Sequence, residues 1–387
     1  MVSFREVFEI VSCASALGDL RLDNSERRGS QVQPDRTPHD NENWSQDMEG
    51  MLSELRSDPI FLPSKFWNNI NLINNDMLKN EGIENFKRTL AQNYYNWLVS
   101  GINDPQFRNV LKNWLCHPSL TPFLIKGEKT IRLQTMRHDK PTTIGGRHRI
   151  IYNIFVALLW DLACRLDRTN LSSWITEPKI GCPIQVVLGN RLISQDLANS
   201  IIEGNTLASL VGESRRRLRI AEIGAGYGRL AYVWSLMRPG TYVIFDIPPA
   251  LATAQWYISR VFPGKKVLKF RPFESFLEIE GELGEADIAF FSANQIRKFP
   301  KNYFDVVLSI STLPEMTKDQ VNLYLSLFQQ LSREYIFLKQ YKDHTNQFDK
   351  TRVRASDYQF GSDWSLIVDR TDPVQPKFFN RAWRKAA

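Results

Sequence analysis

The chain lacks the features that mark several large protein classes. It holds four cysteines in 387 residues, Cys13, Cys116, Cys164 and Cys182. They stand far apart and form no Cys-x-x-Cys pair, which argues against a zinc site or a disulfide framework and fits a reducing cytoplasm. No His/Asp cluster with recognisable metal-ligand spacing is present, so no metal is assigned. No apolar run reaches the ~18–20 residues that a membrane helix needs. The longest, 150–166, is broken by Asn153, Asp161 and Arg165. Glu6 and Glu9 stand where a signal peptide would carry an unbroken apolar stretch. There is no internal repeat and no long low-complexity segment. Charge is not concentrated either. The net charge of +7 is spread along the chain, and the basic cluster within 213–219 reads as a solvated loop ahead of a strand. With 43% apolar and 24% charged residues, this is a globular chain long enough for two domains.

The stretch from Leu218 to Leu230 reads as a strand, a glycine turn and the start of a helix. Leu218, Ile220 and Ile223 suit a buried strand, with Glu222 at its carboxyl end. Gly224, Gly226 and Gly228 lack a Cβ, so the backbone there can turn sharply and approach a ligand closely. Residues 229–237 continue as an amphipathic helix whose first N–H groups point at whatever the turn holds. The spacing Glu-x-Gly-x-Gly-x-Gly differs from the dinucleotide fingerprint Gly-x-Gly-x-x-Gly. An acid two residues before the first glycine resembles the pattern of class I S-adenosylmethionine-dependent methyltransferases. That cofactor carries a sulfonium and an α-amino group instead of a pyrophosphate, so a nearby carboxylate suits it. A plain tight turn is the competing reading. The second half of the signal is 241–246, a β-branched and aromatic run that ends in Asp246. An acid at the tip of the next strand can accept hydrogen bonds from ribose hydroxyls. The alternative is a solvated turn aspartate ahead of Pro248 and Pro249.

Along the chain, residues 1–47 read as a polar, disordered tail with a short helix within 1–18. Residues 48–174 form a mostly helical, aromatic-rich N-terminal domain. Its helices are expected at 48–56, 64–78, 83–99, 106–115 and 149–166. Its aromatics read mainly as core. His138 and His148 flank 140–146, a flexible stretch that could serve as a lid. From 175 to 387, strands alternate with helices. Ser194 caps a helix whose polar residues read as surface. Strands are expected at 266–270, 286–292, 304–311 and 335–340, with edge strands at 364–369 and 378–383. The fold class is therefore α/β, a Rossmann-like doubly wound sheet with ligands at the strand carboxyl ends.

Several blocks together resemble the bacterial sugar O-methyltransferase family, a class I group. They are 63–67, 86–89 with 93–95, Glu177-Pro178 with Gly181 and Pro183, 194–200 with Glu203, 222–229, 311–316 and 338–342. The resemblance implies an S-adenosyl-L-methionine cofactor and a small-molecule or glycan acceptor, with the helical domain over the acceptor. In such a site Glu222 would meet the methionine amino end, with Gly224, Ala225 and Gly226 against it. Asp246 with Ile247 would take the ribose, and Ser292, Ala293 and Asn294 would flank the adenine. A sugar hydroxyl is a poor nucleophile, so a base is needed. His344 is preferred because its ordinary pKa lies near working pH; Glu315 and Asp343 are the other candidates. Lys339 and Gln340 could orient hydroxyls. Methylation of another small-molecule hydroxyl or amine is the alternative, and the oligomeric state, homo-oligomers included, is open. An RNA-binding or RNA-modifying protein is a rival of another class. Against it, 311–314 carries no Asn-Pro-Pro-Tyr-type motif.

Overall fold

The computed structural model describes residues 44–94, 98–116, 125–128, 130–133, 142–213 and 216–386. Most of the expected tail, with Cys13, lies outside these residues, as do His138 and positions 140 and 141 of the 140–146 stretch. The rest of that stretch, read from sequence as flexible, is a short strand, Thr142–Ile144, paired with Ile131–Leu133, and the start of a helix at Gly146.

The molecule is built on an eight-stranded sheet. Its strands are β1 (Leu218–Ile223), β2 (Gly240–Asp246), β3 (Val267–Leu268), β4 (Ile288–Ser292), β5 (Phe304–Ile310), β6 (Ser332–Tyr341), β7 (Trp364–Thr371) and β8 (Phe378–Lys385). Across the sheet they lie in the order β7-β8-β6-β5-β1-β2-β4-β3. The six from β3 to β6 in that order run parallel, and β8 runs antiparallel to both its neighbours. β4 and β5 are buried along their whole length, as strands covered on both faces must be. Alternation sorts their side chains into two cores. Ile220, Ile244, Phe290 and Leu308 face one apolar cluster, while Ile223, Phe245, Phe291 and Val307 face the other. The 378–383 segment, expected at an edge, lies between β6 and β7, because its residues alternate into the core and pair on both sides.

The helices are α1 (Trp44–Leu55), α2 (Lys65–Glu81), α3 (Ala91–Tyr94), α4 (Pro105–Cys116), α5 (Gly146–Leu166), α6 (Gln195–Val211), α7 (Arg229–Met237), α8 (Ala250–Val261), α9 (Glu280–Glu285) and α10 (Lys318–Leu331). Among the described residues, no helix is long and apolar enough to cross a membrane. Trp44 to Asp47, read from sequence as the end of the tail, form the first turn of α1. Asp47 accepts a hydrogen bond from Gln255 Nε2 at 2.8 Å. The helix expected over 83–99 is instead a 3-10 stretch, Ile83–Arg88, followed by the four-residue α3. The cause is tertiary. Lys87 is drawn into a buried pair with Glu177, and Arg88 reaches Glu128 and the carbonyl of Cys182, so the backbone breaks at Thr89. In α6, Ser194 caps the helix by accepting from Leu197 N at 3.0 Å. Its polar residues from Gln195 to Thr206 are not at the surface. Asp196, Ser200 and Glu203 are buried and turn toward Tyr227, Arg229 and Lys339.

The order in which strands are added reverses at β1. From β1 the chain goes to β2 on one side, and β5 returns on the other. The carboxyl ends of these three strands open into a crevice, the place where doubly wound sheets bind ligands.

Candidate cofactor site

The glycine turn follows directly from β1. Gly224, Gly226 and Gly228 take φ values of 75°, 60° and 80°, the left-handed region that only glycine enters cheaply. A Cβ on Gly224 would also collide with the Thr312 side chain, which packs from the tip of β5 and donates to Gly224 O at 3.1 Å. We therefore expect Gly224→Ala to lower stability by about 2–4 kcal/mol, from backbone strain plus overpacking. Chemical denaturation would measure this, and adding Thr312→Gly should restore part of the loss. A single variant as stable as the wild type would contradict the packing described.

The tips of β1 and β2 are joined. Gly224 N donates to Phe245 O at 2.9 Å. Gly226 N donates to Asp246 Oδ2 at 2.8 Å, and Ile247 N donates to Asp246 Oδ1 at 2.7 Å. The Asp246 carboxylate is thus aimed by two backbone N–H groups and keeps lone pairs for a ligand.

A cavity of about 950 Å³, its open mouth included, lies over this junction. Its floor is the glycine turn with Glu222, Asp246, Ile247 and Ala293. Ser311, Thr312 and Glu315, from the segment after β5, form one wall, with Tyr324 of α10 beside them. The roof is aromatic. Trp67 of α2 and Tyr94 of α3 have ring centroids 5.9 Å apart and planes tilted by 36°. Tyr94 sits directly over Gly226. α2 is pinned in place at its start and middle. Ser64 Oγ donates to Glu315 O at 2.7 Å, and Lys65 N and Phe66 N donate to Asp349 at 3.1 and 3.2 Å. Asn71 Nδ2 donates to Pro248 O at 3.1 Å.

The cavity is rich in carboxyl groups. Burial raises Glu222 to about 7, against a hydrogen bond from Tyr242 Oη at 2.8 Å. Burial also raises Asp246 to about 7, against the N–H groups of Ile247, Gly226 and Ala225. Glu315 is held well above the ordinary glutamate range by burial, against a hydrogen bond from Trp67, and the charge of Asp246 adds to the rise. Among the described lining residues Arg229 is the one cation, and it is already held by Glu203 at 2.6 Å and Ser200 at 2.9 Å. Such a site suits a cation, whose arrival lets the carboxyls ionise.

The same shifts set a pH dependence. A folded pKa above the unfolded one means the folded state binds more protons, so stability falls as pH rises between the two. For Glu222 that window runs from the ordinary 4.5 to about 7, and the loss is at most about 3 kcal/mol. Glu222→Gln, which still accepts from Tyr242, should flatten this part of the curve. Thermal melts of the ligand-free protein at about pH 5 and pH 8 test it. The wild-type midpoint should drop more than the variant's, and equal drops would count against the assignment.

Of the residues singled out from sequence, Glu222, Gly224, Ala225, Gly226, Asp246, Ile247, Ala293 and Glu315 line this one cavity. Ser292 is buried at the end of β4, where its N–H donates to Gln295 Oε1 at 2.9 Å. Asn294 turns away, donating from Nδ2 to Glu54 O at 2.9 Å and Ser57 Oγ at 3.0 Å. His344 and Asp343 are outside the lining. They do not sit in a loop at the cleft but in a short hairpin, Asp343–Asn346 with Thr351–Arg354. His344 lies against the Tyr341 ring at 4.6 Å, and burial and Lys377 lower its pKa. Asp343 is exposed and paired with Arg352 at 2.5 Å. Lys339 and Gln340 are fully buried in β6, engaged with Glu203 and with Ser309. His148 is exposed at the start of α5. Sequence reasoning did not find Trp67, Tyr94, Ser311, Thr312 or Tyr324. Trp67 and Tyr94 stand in blocks that carry the family resemblance, the one signal that could have marked them.

No protein-family model matches the sequence, and no curated protein matches it. Solved structures do show similarity, at low sequence identity in the three that follow. A 1,6-didemethyltoxoflavin-N1-methyltransferase from Burkholderia thailandensis, with 1,6-didemethyltoxoflavin and S-adenosylhomocysteine bound, is 14% identical. That match covers 50% of this chain and 79% of the other, with a TM-score of 0.33. A magnesium protoporphyrin IX methyltransferase from Synechocystis is 11% identical over 50% of this chain and 85% of its own, with a TM-score of 0.33. An S-adenosylmethionine-dependent methyltransferase from Leishmania major is 15% identical over 59% and 82%, with a TM-score of 0.34.

Proposed function

We propose that the chain is an S-adenosylmethionine-dependent methyltransferase that methylates a hydroxyl of a small molecule, a sugar or glycan precursor. One observation carries the reading. The glycine turn and the Asp246 carboxylate meet at the switch point of the sheet, under an aromatic roof, in a cavity lined with protonatable acids. The buried Ser311 Oγ, which lines the same cavity and has no partner among the described residues, is a further polar group awaiting a ligand.

The residues fit the cofactor's chemistry. Glu222, with the N–H groups of the turn, holds the amino acid end, and Asp246 accepts from the ribose hydroxyls. Ile247 and Ala293 give the purine an apolar slot. When bound, the cofactor supplies a methyl group on a sulfonium, an already activated leaving group. The protein's work is then alignment and proton removal. Glu315 would take the proton of the acceptor hydroxyl. The Trp67 hydrogen bond to Glu315 orients that carboxyl.

A second reading is favoured by the roof. Two aromatic faces beside an acid can also hold a protonated amine, which must lose a proton before its nitrogen can take the methyl group, so N-methylation uses the same residues. Incubation with labelled cofactor and extracted nucleotide-sugar, glycan and amine pools separates the two. Label in a hydroxyl-derived methyl ether supports the first reading, and label on nitrogen supports the second. Absence of S-adenosylhomocysteine with every pool would count against both.

A further inference from the structure

A second cavity lies between the end of α5, the second half of α6 and the last residues of β7. Arg165, Arg168, Asn205, Thr206, Ser209 and Arg370 wall it, around a space of about 660 Å³ with its open mouth included. Three guanidinium groups therefore line one space. Arg165 donates from Nε to Asp161 Oδ2 at 3.0 Å, but its Nη2 is buried with no acceptor among the described residues. Asp167, the next carboxylate along the chain, accepts from the N–H groups of Thr169 and Ser172 and from Asn205 Nδ2. Arg370 Nη2 donates to Thr206 Oγ1 at 2.9 Å, which fixes that side chain against the wall. Arg168 is exposed at the rim, with its backbone N–H on Asn205 Oδ1 at 2.7 Å. The hydroxyls cannot serve as donors here. Thr206 Oγ1 donates to Ile202 O and Ser209 Oγ to Asn205 O. The remaining donors are guanidinium N–H groups, and a buried charged donor without an acceptor is costly. Guanidinium forks match the oxygens of a tetrahedral oxyanion.

We propose that this cavity binds a phosphate-type oxyanion, the phosphate or diphosphate group of a small molecule, through Arg165, Arg168 and Arg370. None of the three lines the cofactor cavity, and the inference stands whether or not the chain transfers methyl groups. The two sites are nonetheless linked by buried ion pairs. β7 leads into Asp372, which pairs with Lys339 at 2.9 Å, and Lys339 pairs with Glu203 at 3.0 Å. Glu203 in turn holds Arg229 of the first cavity at 2.6 Å.

Calorimetric titration of the full chain at constant ionic strength tests this, with inorganic phosphate, inorganic pyrophosphate and a nucleoside diphosphate as probes. Saturable binding is expected, with the diphosphates tighter than phosphate. Arg168→Ala and Arg370→Ala should each weaken it by about tenfold or more. Arg168 and Arg370 are both exposed, and the Arg168 variant carries the test if loss of the Arg370–Thr206 contact keeps the other variant from folding. A nucleoside diphosphate tighter than pyrophosphate identifies a group carried on a larger molecule, and equal affinities identify the free anion. Pyrophosphate should also protect Arg168 and Arg370 from phenylglyoxal, mapped by mass spectrometry. No saturable binding below about 10 mM, or unchanged affinity in the variants that fold, overturns the proposal.

Discussion

Asp246→Ala should weaken S-adenosylmethionine binding by at least about 100-fold, because the two charge-assisted hydrogen bonds proposed to the ribose would be lost together. The effect is large because no other carboxylate can take over. Glu222 lies behind the turn with Tyr242 on it, and Glu315 stands on the far wall with Trp67. The loss has a second source. Asp246 also accepts from Gly226 N and Ile247 N, so the alanine variant leaves two N–H groups without their acceptor and loosens the turn itself. Asp246→Asn separates these contributions. Its amide oxygen can keep one of the two N–H contacts, so the turn should hold while ribose recognition is damaged. Calorimetric titration gives both affinities, and thermal melts confirm that each variant is folded. Affinity in Asp246→Ala within a few-fold of the wild type would remove Asp246 from the site.

Glu315→Gln is expected to lower kcat by about 10²–10⁴-fold while cofactor affinity stays within a few-fold. Glutamine keeps the shape of the side chain and an acceptor for the Trp67 hydrogen bond, so packing changes little. What disappears is the ability to take a proton. The wild-type rate should climb with pH on a limb displaced upward from the ordinary glutamate pKa of 4.5, since burial favours the protonated, inactive form. The variant should show no such limb. A merely structural role for Glu315 would instead raise KM and leave the pH profile in place. If the acceptor is an amine that gives its proton to solvent, the limb will follow the acceptor's pKa and persist in the variant.

The parts of this site that are legible in sequence are the local ones. Gly224, Gly226 and Asp246 can be read because one strand–turn–helix unit and the next strand bring them together, whatever else the chain does. The parallel sheet is legible for the same reason, through buried runs such as 304–310 and 288–292. The roof is not. Trp67 and Tyr94 reach the cavity only because α2 docks on Glu315 O, Asp349 and Pro248 O, contacts that span 177 to 284 residues of sequence. In sequence the two aromatics look like core. The choice of base is a similar case. His344 has the more suitable ordinary pKa, but β6 runs on to Tyr341 and the chain then folds into an outer hairpin, with the imidazole against that ring. Glu315 becomes the stronger candidate because the turn after β5 carries it into the cavity and burial raises its pKa. The polar face of α6 could not be read as buried, since its partners Arg229 and Lys339 lie 26 and 136 residues away.

The most direct measurement is a crystal structure of the chain with S-adenosylhomocysteine. It should show both ribose hydroxyls within hydrogen-bond distance of the Asp246 carboxylate, the amino acid end over Gly224 with Glu222 behind it, and the sulfur facing Glu315 beneath Trp67 and Tyr94. A nucleoside bound elsewhere, or bound in this cavity with Asp246 touching none of its hydroxyls, would contradict the account.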